Sequence, residues 1–280
     1  MSALVGLSVV LSAFLGAAIG SFLNVVTYRV PRGASIVSPR SACTSCGHVI
    51  RGIDNVPVVS WLVLRGKCRD CKAPISIRYP LVELGTAVFF ALVAWWAVSG
   101  FVASGALSDS ATITLGLTLG AYLYLAAVSV ALALIDLDTH TLPNKIVLPA
   151  YVVGIALLGA SSLASSDYGA LLSAGVGLAA LWLLYFLMAV LYPGGMGFGD
   201  VKLAGVLGLF LGWLGWGSLF VGAFSAFLLG GVFALALLLS GRVSRKGGIP
   251  FGPWMLAGAW VGIFAGETIW NSYLALFGLA

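Results

Sequence analysis

Long apolar stretches separated by short polar segments run along most of this chain. Each is close to the roughly 20 residues that a helix needs to cross a bilayer core of about 30 Å, and they occupy residues 4–26, 81–100, 112–135, 146–163, 169–192, 201–216, 218–240 and 254–279. The sixth stretch is the weakest, because glycines interrupt it and it runs almost directly into the seventh. The pattern predicts an all-α polytopic membrane protein with about eight transmembrane helices.

The amino-acid composition excludes the other broad classes of protein. Of the 280 residues, 61% are hydrophobic and 8% are charged, with a mean hydropathy of +1.09, whereas soluble domains carry roughly 25% charged residues. A water-soluble globular domain is therefore excluded. Intrinsic disorder is excluded as well, because it requires low hydrophobicity together with high net charge.

The basic residues predict how the chain is oriented in the membrane. All 14 Lys and Arg residues lie on one side of the predicted helices, nine of them between the first and second helix. The positive-inside rule places that side in the cytoplasm and both termini outside. Since topology accounts for the net charge of +5, we expect no nucleic-acid partner. No basic residue precedes the first stretch, so we expect a retained helix there and not a cleaved signal peptide.

The one extended polar segment, residues 27–79, contains all four cysteines. They form two CxxC pairs, Cys43 with Cys46 and Cys68 with Cys71, separated by 21 residues. Two such pairs predict a small cytoplasmic zinc-ribbon-like domain in which four thiolates enclose a structural zinc ion. Disulfides, redox activity and an iron–sulfur cluster are the alternatives, and the reducing cytoplasm disfavours disulfides.

Acidic residues at the ends of two predicted helices are candidates for chemistry. Asp136 and Asp138 end the third helix, and Asp200 begins the sixth within Gly197-Phe198-Gly199-Asp200. The predicted topology puts both ends on the same side of the membrane. Two facing carboxyl groups share a proton, so that one activates water while the other polarises a peptide carbonyl. Helix capping by Asp200 and a solvated role for Asp138 are the structural alternatives.

Taken in order, these motifs resemble those of the type IV prepilin peptidases, a family of bifunctional leader peptidases and N-methyltransferases. The resemblance covers nearly the whole chain and is carried by Gly20–Arg29, the two CxxC pairs, Ile75–Glu83, Ile135–Asp138 followed by Leu142–Asn144, Gly197–Leu203 and Ile249–Pro253.

The resemblance implies roles that the pattern of residues leaves open. It assigns catalysis to Asp200, the aspartate of the GxGD motif, and to Asp136, seven residues before Pro143. It implies a bacterial inner-membrane protein that cleaves prepilins or pseudopilins on the cytoplasmic side, after a glycine. It also implies methylation of the new N-terminus with S-adenosylmethionine. Asn144 is a departure, because many bifunctional members carry Asp there.

The expected organisation is a first transmembrane helix at 1–26, the four-cysteine domain at 27–79 and a transmembrane protease bundle at 80–280. Two other functions stay open at this point. A membrane transporter would also contain acids and broken helices, but its site should lie near the bilayer midplane. A scaffold that docks partners through its zinc ribbon would need the cysteines but neither Asp136 nor Asp200.

Overall fold

The computed structural model describes residues 2–105, 108–192, 196–240 and 250–278. Its α-helices are α1 (Ser2–Arg29), α2 (Val59–Val63), α3 (Arg78–Ser104), α4 (Asp109–Thr139), α5 (Asn144–Ser165), α6 (Tyr168–Leu191), α7 (Phe198–Leu214), α8 (Trp216–Leu239) and α9 (Gly252–Ala275), and a 3-10 helix spans Gly52–Asn55. The basic residues Arg242, Arg245 and Lys246, and Ile249 of the last motif, lie outside the described residues.

The all-helical membrane class is confirmed. Every predicted apolar stretch forms a long helix, and six of these (α1, α3, α4, α5, α6 and α8) are long and apolar enough to cross a membrane. Helix α7 has 17 residues, about 26 Å at 1.5 Å per residue, and neither α7 nor α9 is among the six. Eight crossings therefore stay a prediction.

The chain forms two compact units, and the first comprises Met1–Leu107 with Tyr122–Ala131. Helices α1 and α3 pack backbone to backbone there. A Cβ atom added at Gly16 would lie 2.7 Å from the carbonyl oxygen of Thr86, and one at Gly20 would lie 2.8 Å from Cα of Glu83. Small residues permit this approach. Because an earlier residue of α1 meets a later one of α3, the two helices are antiparallel.

The second unit comprises Ser108–Ala121 with Leu132–Ala280 and is organised around α7. This helix is buried on all sides from Leu203 to Gly212, as expected for a core helix that is apolar around its whole circumference. It packs closely on α6, where a Cβ atom added at Gly177 would lie 2.5 Å from the carbonyl oxygen of Gly208. The Trp213 indole also donates a 2.8 Å hydrogen bond to Ser162 Oγ of α5.

Glu267, the acid near the middle of α9, joins two helices. Its Oε1 atom accepts a 3.2 Å hydrogen bond from the backbone N–H of Ser218 in the first turn of α8. The Gly215 that precedes α8 has no side chain to cap that helix. Glu267 therefore supplies from another helix the negative group that a helix N-terminus favours.

Candidate active site and metal centre

Asp136 occupies the last turn of α4, where the helix passes from apolar to polar sequence. Ile135 before it is fully buried, and Leu137 and Asp138 after it are exposed. Asp136 itself is only 5% exposed, and a buried carboxylate is costly unless it is hydrogen-bonded. Burial thus distinguishes Asp136 from Asp138, two residues away.

The partner of Asp136 is the backbone at the start of α9. The N–H of Gly252 donates a 3.1 Å hydrogen bond to Asp136 Oδ2. A Cβ atom at position 252 would lie 2.7 Å from the same oxygen, so glycine is needed for the approach. The positive end of the α9 helix dipole also faces this carboxyl group.

Asp200 occupies the first turn of α7 and caps that helix. Its Oδ2 atom accepts a 3.1 Å hydrogen bond from the N–H of Gly197, and the N–H of Asp200 donates to the carbonyl oxygen of Gly197 at 3.1 Å. This is one half of a capping box, since the Asp200 side chain reaches back to the N-cap N–H but Gly197 has no side chain to complete the motif. The capping role is therefore present, and it fixes the carboxyl group at the end of the helix.

The structure brings Asp136 and Asp200 to one place within the second unit. The side chain of Leu142, from the turn between α4 and α5, lies between the segments that hold them. A Cβ atom at Gly199 would be 3.0 Å from Leu142 Cβ, and one at Gly252 would be 3.2 Å from Leu142 Cδ2.

A pair of contacts fixes the start of α7 against α5. Lys202 Nζ donates a 3.0 Å hydrogen bond to Asn144 Oδ1, and the Tyr151 hydroxyl donates a 2.6 Å hydrogen bond to the carbonyl oxygen of Lys202. Asn144, the departure from the family pattern, thus has a structural role here. It accepts from a cation, which either an amide or a carboxylate oxygen can do.

Gly252 and Leu142 are site residues whose roles could not be assigned from sequence, although both lie in the motifs quoted above. A backbone donor has no signature in sequence. Phe251, next to Gly252, packs against the buried ring of Tyr185 with centroids 6.4 Å apart. This packing holds the segment that precedes α9 against α6.

The four cysteines form a separate cluster in the first unit. Their sulfur atoms all lie within 4.8 Å of one another, and Cys43 Sγ is 3.8 Å from Cys71 Sγ. A tetrahedral ion with metal–sulfur bonds of about 2.3 Å requires sulfurs about 3.8 Å apart. The cluster fits a four-thiolate metal site, as the spacing predicted.

The two CxxC loops share one backbone conformation. In the first, the Cys43 N–H donates to the His48 carbonyl at 2.9 Å, and Gly47 has φ +74°. In the second, the Cys68 N–H donates to the Ala73 carbonyl at 2.8 Å, and Lys72 has φ +61°. Each positive φ falls four residues after the first cysteine of its pair. Two matching loops therefore contribute two sulfurs each.

The electrostatics of the thiols favour a cation at their centre. Hydrogen bonds from the backbone of Cys46 and Ser45 lower the pKa of Cys43 to about 6. The backbone of His48 lowers the pKa of Cys46, but desolvation and the thiols of Cys71 and Cys43 outweigh it and raise that pKa to about 12. Packed thiolates repel one another, and a bound cation removes that penalty.

An ion pair supports the second loop. Arg69 donates to both carboxylate oxygens of Asp54, with Nε 2.9 Å from Oδ2. The hydrogen bond from this guanidinium lowers the pKa of Asp54. The pair connects the CxxC loop to the 3-10 helix and so orders the outside of the cluster.

The fold is that of an all-helical membrane protein, and comparison with known proteins identifies its family. Residues 14–97 match the bacterial peptidase A24 N-terminal domain, and residues 123–239 match the type IV leader peptidase family. No solved structure matches.

Curated relatives named prepilin leader peptidase/N-methyltransferase extend over nearly the whole chain. That of Aeromonas hydrophila is 36% identical over 92% of this chain and 91% of its own length. That of Neisseria gonorrhoeae is 36% identical over 97% of this chain and 96% of its own length. That of Pseudomonas aeruginosa is 34% identical over 96% of this chain and 94% of its own length. The chain belongs to the type IV leader peptidase family and is a multi-pass enzyme of the bacterial inner membrane.

The cluster geometry predicts that each purified chain carries about one metal ion. Cys46→Ser removes one of four ligands and should lower the metal content and the thermal stability of the domain. His48→Ala is the matched control, because His48 is next to this loop without belonging to the sulfur cluster. Elemental analysis of the purified proteins tests this, and full metal retention by Cys46→Ser would contradict the site.

Proposed function

We propose that this protein is a prepilin leader peptidase that cleaves prepilins or pseudopilins and then methylates the new N-terminus. One observation carries the peptidase activity: Asp136 and Asp200 are each held by a backbone N–H, and the side chain of Leu142 packs against both segments that hold them. The names of the relatives support the choice of substrate and the second activity. The partners are the substrate and the lipid bilayer, with no nucleic acid.

Two neighbouring carboxyl groups perform the hydrolysis by sharing one proton. Like charges a few ångströms apart resist joint ionisation, so one carboxyl stays protonated while the other is anionic. The anionic group takes a proton from water, and the resulting hydroxide attacks the peptide carbonyl carbon. The protonated group gives its proton to the carbonyl oxygen. Return of a proton to the leaving nitrogen then breaks the peptide bond.

The backbone hydrogen bonds leave the remaining oxygens for this chemistry. Asp136 uses Oδ2 for Gly252, and Asp200 uses Oδ2 for Gly197. In the part of the chain that the structure describes, neither Oδ1 atom accepts a hydrogen bond from another group. These oxygens are therefore available for water, for the substrate and for the shared proton.

We place this site at the cytoplasmic end of the bundle, with both termini outside and the four-cysteine domain in the cytoplasm. Support comes from the basic residues, since Lys145 lies in the first turn of α5, just after the end of α4 that carries Asp136, and Lys202 follows Asp200 by two residues in α7. A substrate helix that enters from the membrane would meet the site at its own cytoplasmic end. Its backbone must unwind there, because helical carbonyls are already hydrogen-bonded.

Crowding beside Asp136 supports cleavage after a glycine. Leu142 occupies the space between Gly199 and Gly252, and a single added Cβ at position 252 would already meet Asp136 Oδ2 at 2.7 Å. A substrate residue seated next to that carboxyl group has little room for a side chain. Leu142 is the apolar side chain of this wall, and it packs against the backbone of Gly199 and Gly252.

Zinc is the metal that we assign to the four cysteines, as a structural ion. Four thiolates in tetrahedral geometry favour zinc, and a closed shell leaves no position for substrate or water. The domains are then the helix at 1–26, the zinc-binding domain at 27–79 and the protease bundle at 80–280. The methyl donor is S-adenosylmethionine, as the resemblance implies.

Asp136→Asn and Asp200→Asn should each abolish leader removal, because neither variant retains a pair that shares a proton. Asp138→Asn is the matched control, being an exposed aspartate of the same helix turn, and should keep most activity. Incubation of each detergent-purified protein with a prepilin, followed by mass spectrometry of the product N-terminus, measures this. Normal cleavage by either of the first two variants would refute the dyad.

Leu142→Ala should relax the requirement for glycine before the scissile bond, since it opens space beside Asp136. Prepilins with Gly, Ala or Ser at that position provide the test. We expect the ratio of kcat/KM for Ala over Gly to rise at least several-fold in the variant. An unchanged ratio, with cleavage of the Gly substrate intact, would show that Leu142 does not set the specificity.

Methyl transfer is tested in the same reaction with isotopically labelled S-adenosylmethionine. We expect one labelled methyl group on the new N-terminus of the cleaved product. With a substrate that already lacks its leader, Asp136→Asn should still transfer the label, because the dyad serves hydrolysis alone. If the wild-type protein cleaves the prepilin but transfers no label, it is a peptidase without methyltransferase activity.

A further inference from the structure

An apolar run interrupts the basic polar region between α1 and α3. Asn55–Leu64 (NVPVVSWLVL) carries no charge and is followed by Arg65 and Lys67. It contains α2 and is called here the apolar segment. Apolar side chains in a loop exposed to water do not stabilise the protein. The environment of this apolar run therefore needs an explanation.

The apolar segment turns its large aliphatic side chains outward. Val56, Val59, Leu62 and Val63 are between 47% and 70% exposed. Within α2, Leu62 and Val63 follow Val59 by three and four residues, which puts these three side chains on one side of the helix. Ser60, by contrast, is buried and faces the domain. The apolar segment therefore presents apolar side chains to its surroundings and a polar side chain to the domain. A domain surrounded only by water would show the reverse.

A hydrogen bond fixes the depth of the apolar segment relative to α3. The N–H of Val58 donates to Glu83 Oε2 at 2.6 Å, and Glu83 is a buried residue of the second turn of this membrane-spanning helix. Glu83 lies about 12 Å along the axis from the middle of α3, and half the hydrocarbon core is about 15 Å. The segment therefore lies at the level where hydrocarbon meets the headgroups.

The turn that reaches Glu83 is strained. Val58 has φ +61°, which is unusual for a β-branched residue, and the Val59 N–H donates to the Pro57 carbonyl at 2.6 Å across it. This is a three-residue turn of the rare and strained type. Strain of this kind persists only where surrounding contacts impose it, and Glu83 supplies the contact.

The polar side chains of Ser60 and Trp61 have hydrogen-bond partners within the protein, as a low-dielectric setting requires. Ser60 Oγ accepts from the Val56 N–H and donates to the Ile53 carbonyl, both at 2.9 Å. The Trp61 indole donates to the Ile75 carbonyl at 3.1 Å. These two side chains can therefore leave water without losing hydrogen bonds.

We propose that the apolar segment is a membrane anchor that inserts Val56, Val59, Leu62 and Val63 into the lipid interface and ties the four-cysteine domain to the bilayer. Lipid is the partner of these exposed side chains, because the hydrogen bond to α3 holds the apolar segment at the depth of the membrane interface. The following basic residues, Arg65 and Lys67, match anionic headgroups. This inference depends on α3 spanning the membrane and is independent of the proposed peptidase activity.

Photo-crosslinking of the full-length protein in liposomes of zwitterionic and anionic phospholipids tests the anchor. A diazirine-bearing amino acid is placed at position 62 or, as the control, at position 49. Val49 is 47% exposed, the same as Val56, but it belongs to the first CxxC loop. Mass spectrometry of the peptides should show lipid adducts at position 62 and several-fold fewer at position 49.

Equal labelling at the two positions would overturn the anchor, and so would an adduct at position 62 to a second copy of the chain instead of to lipid. Glu83→Ala provides a second measurement, because it removes the acceptor that holds Val58. This variant should lose lipid adducts at position 62 while keeping its metal, as elemental analysis would show. Full retention of the adducts would mean that Glu83 does not hold the segment.

Discussion

A buried carboxyl group needs a hydrogen-bond partner, and this requirement determines how the second unit is built. Asp136 is 5% exposed and its partner is the N–H of Gly252, a residue 116 positions away in the chain. The start of α9 must therefore come against the end of α4. Since an unpaired buried charge is very costly, the helices cannot separate at this point without exposing or neutralising the acid.

Glycine makes such approaches possible. Gly252 permits the backbone of α9 to reach Asp136, and Gly177 permits α6 to touch the central helix α7. Without a hydrophobic driving force between helices in lipid, close packing supplies much of the association energy. The glycines that weaken α7 as an isolated hydrophobic stretch are thus the ones that allow it to be buried on every side. A short central helix then positions Asp200 at its own first turn.

The four-cysteine domain is stabilised by different means. It has little apolar core of its own, so a metal ion and the Asp54–Arg69 pair would supply most of its order. A short hydrogen bond from the strained turn at Val58 to Glu83 attaches it to α3. Anchoring of the apolar segment in lipid would hold this domain at the membrane surface.

The membrane class, the positions of the helices and the four-cysteine cluster were determined by the sequence, because each depends on local pattern. Twenty apolar residues in lipid must form a helix to satisfy their backbone, and two CxxC pairs produce two similar loops wherever they stand. Asp136 and Asp200 could be named as candidates for the same reason, from their places at helix ends. What brings them together, and what holds each one, was decided by tertiary structure. The backbone N–H of Gly252 and the position of Leu142 depend on contacts between distant segments, and such contacts have no signature in the spacing of residue types.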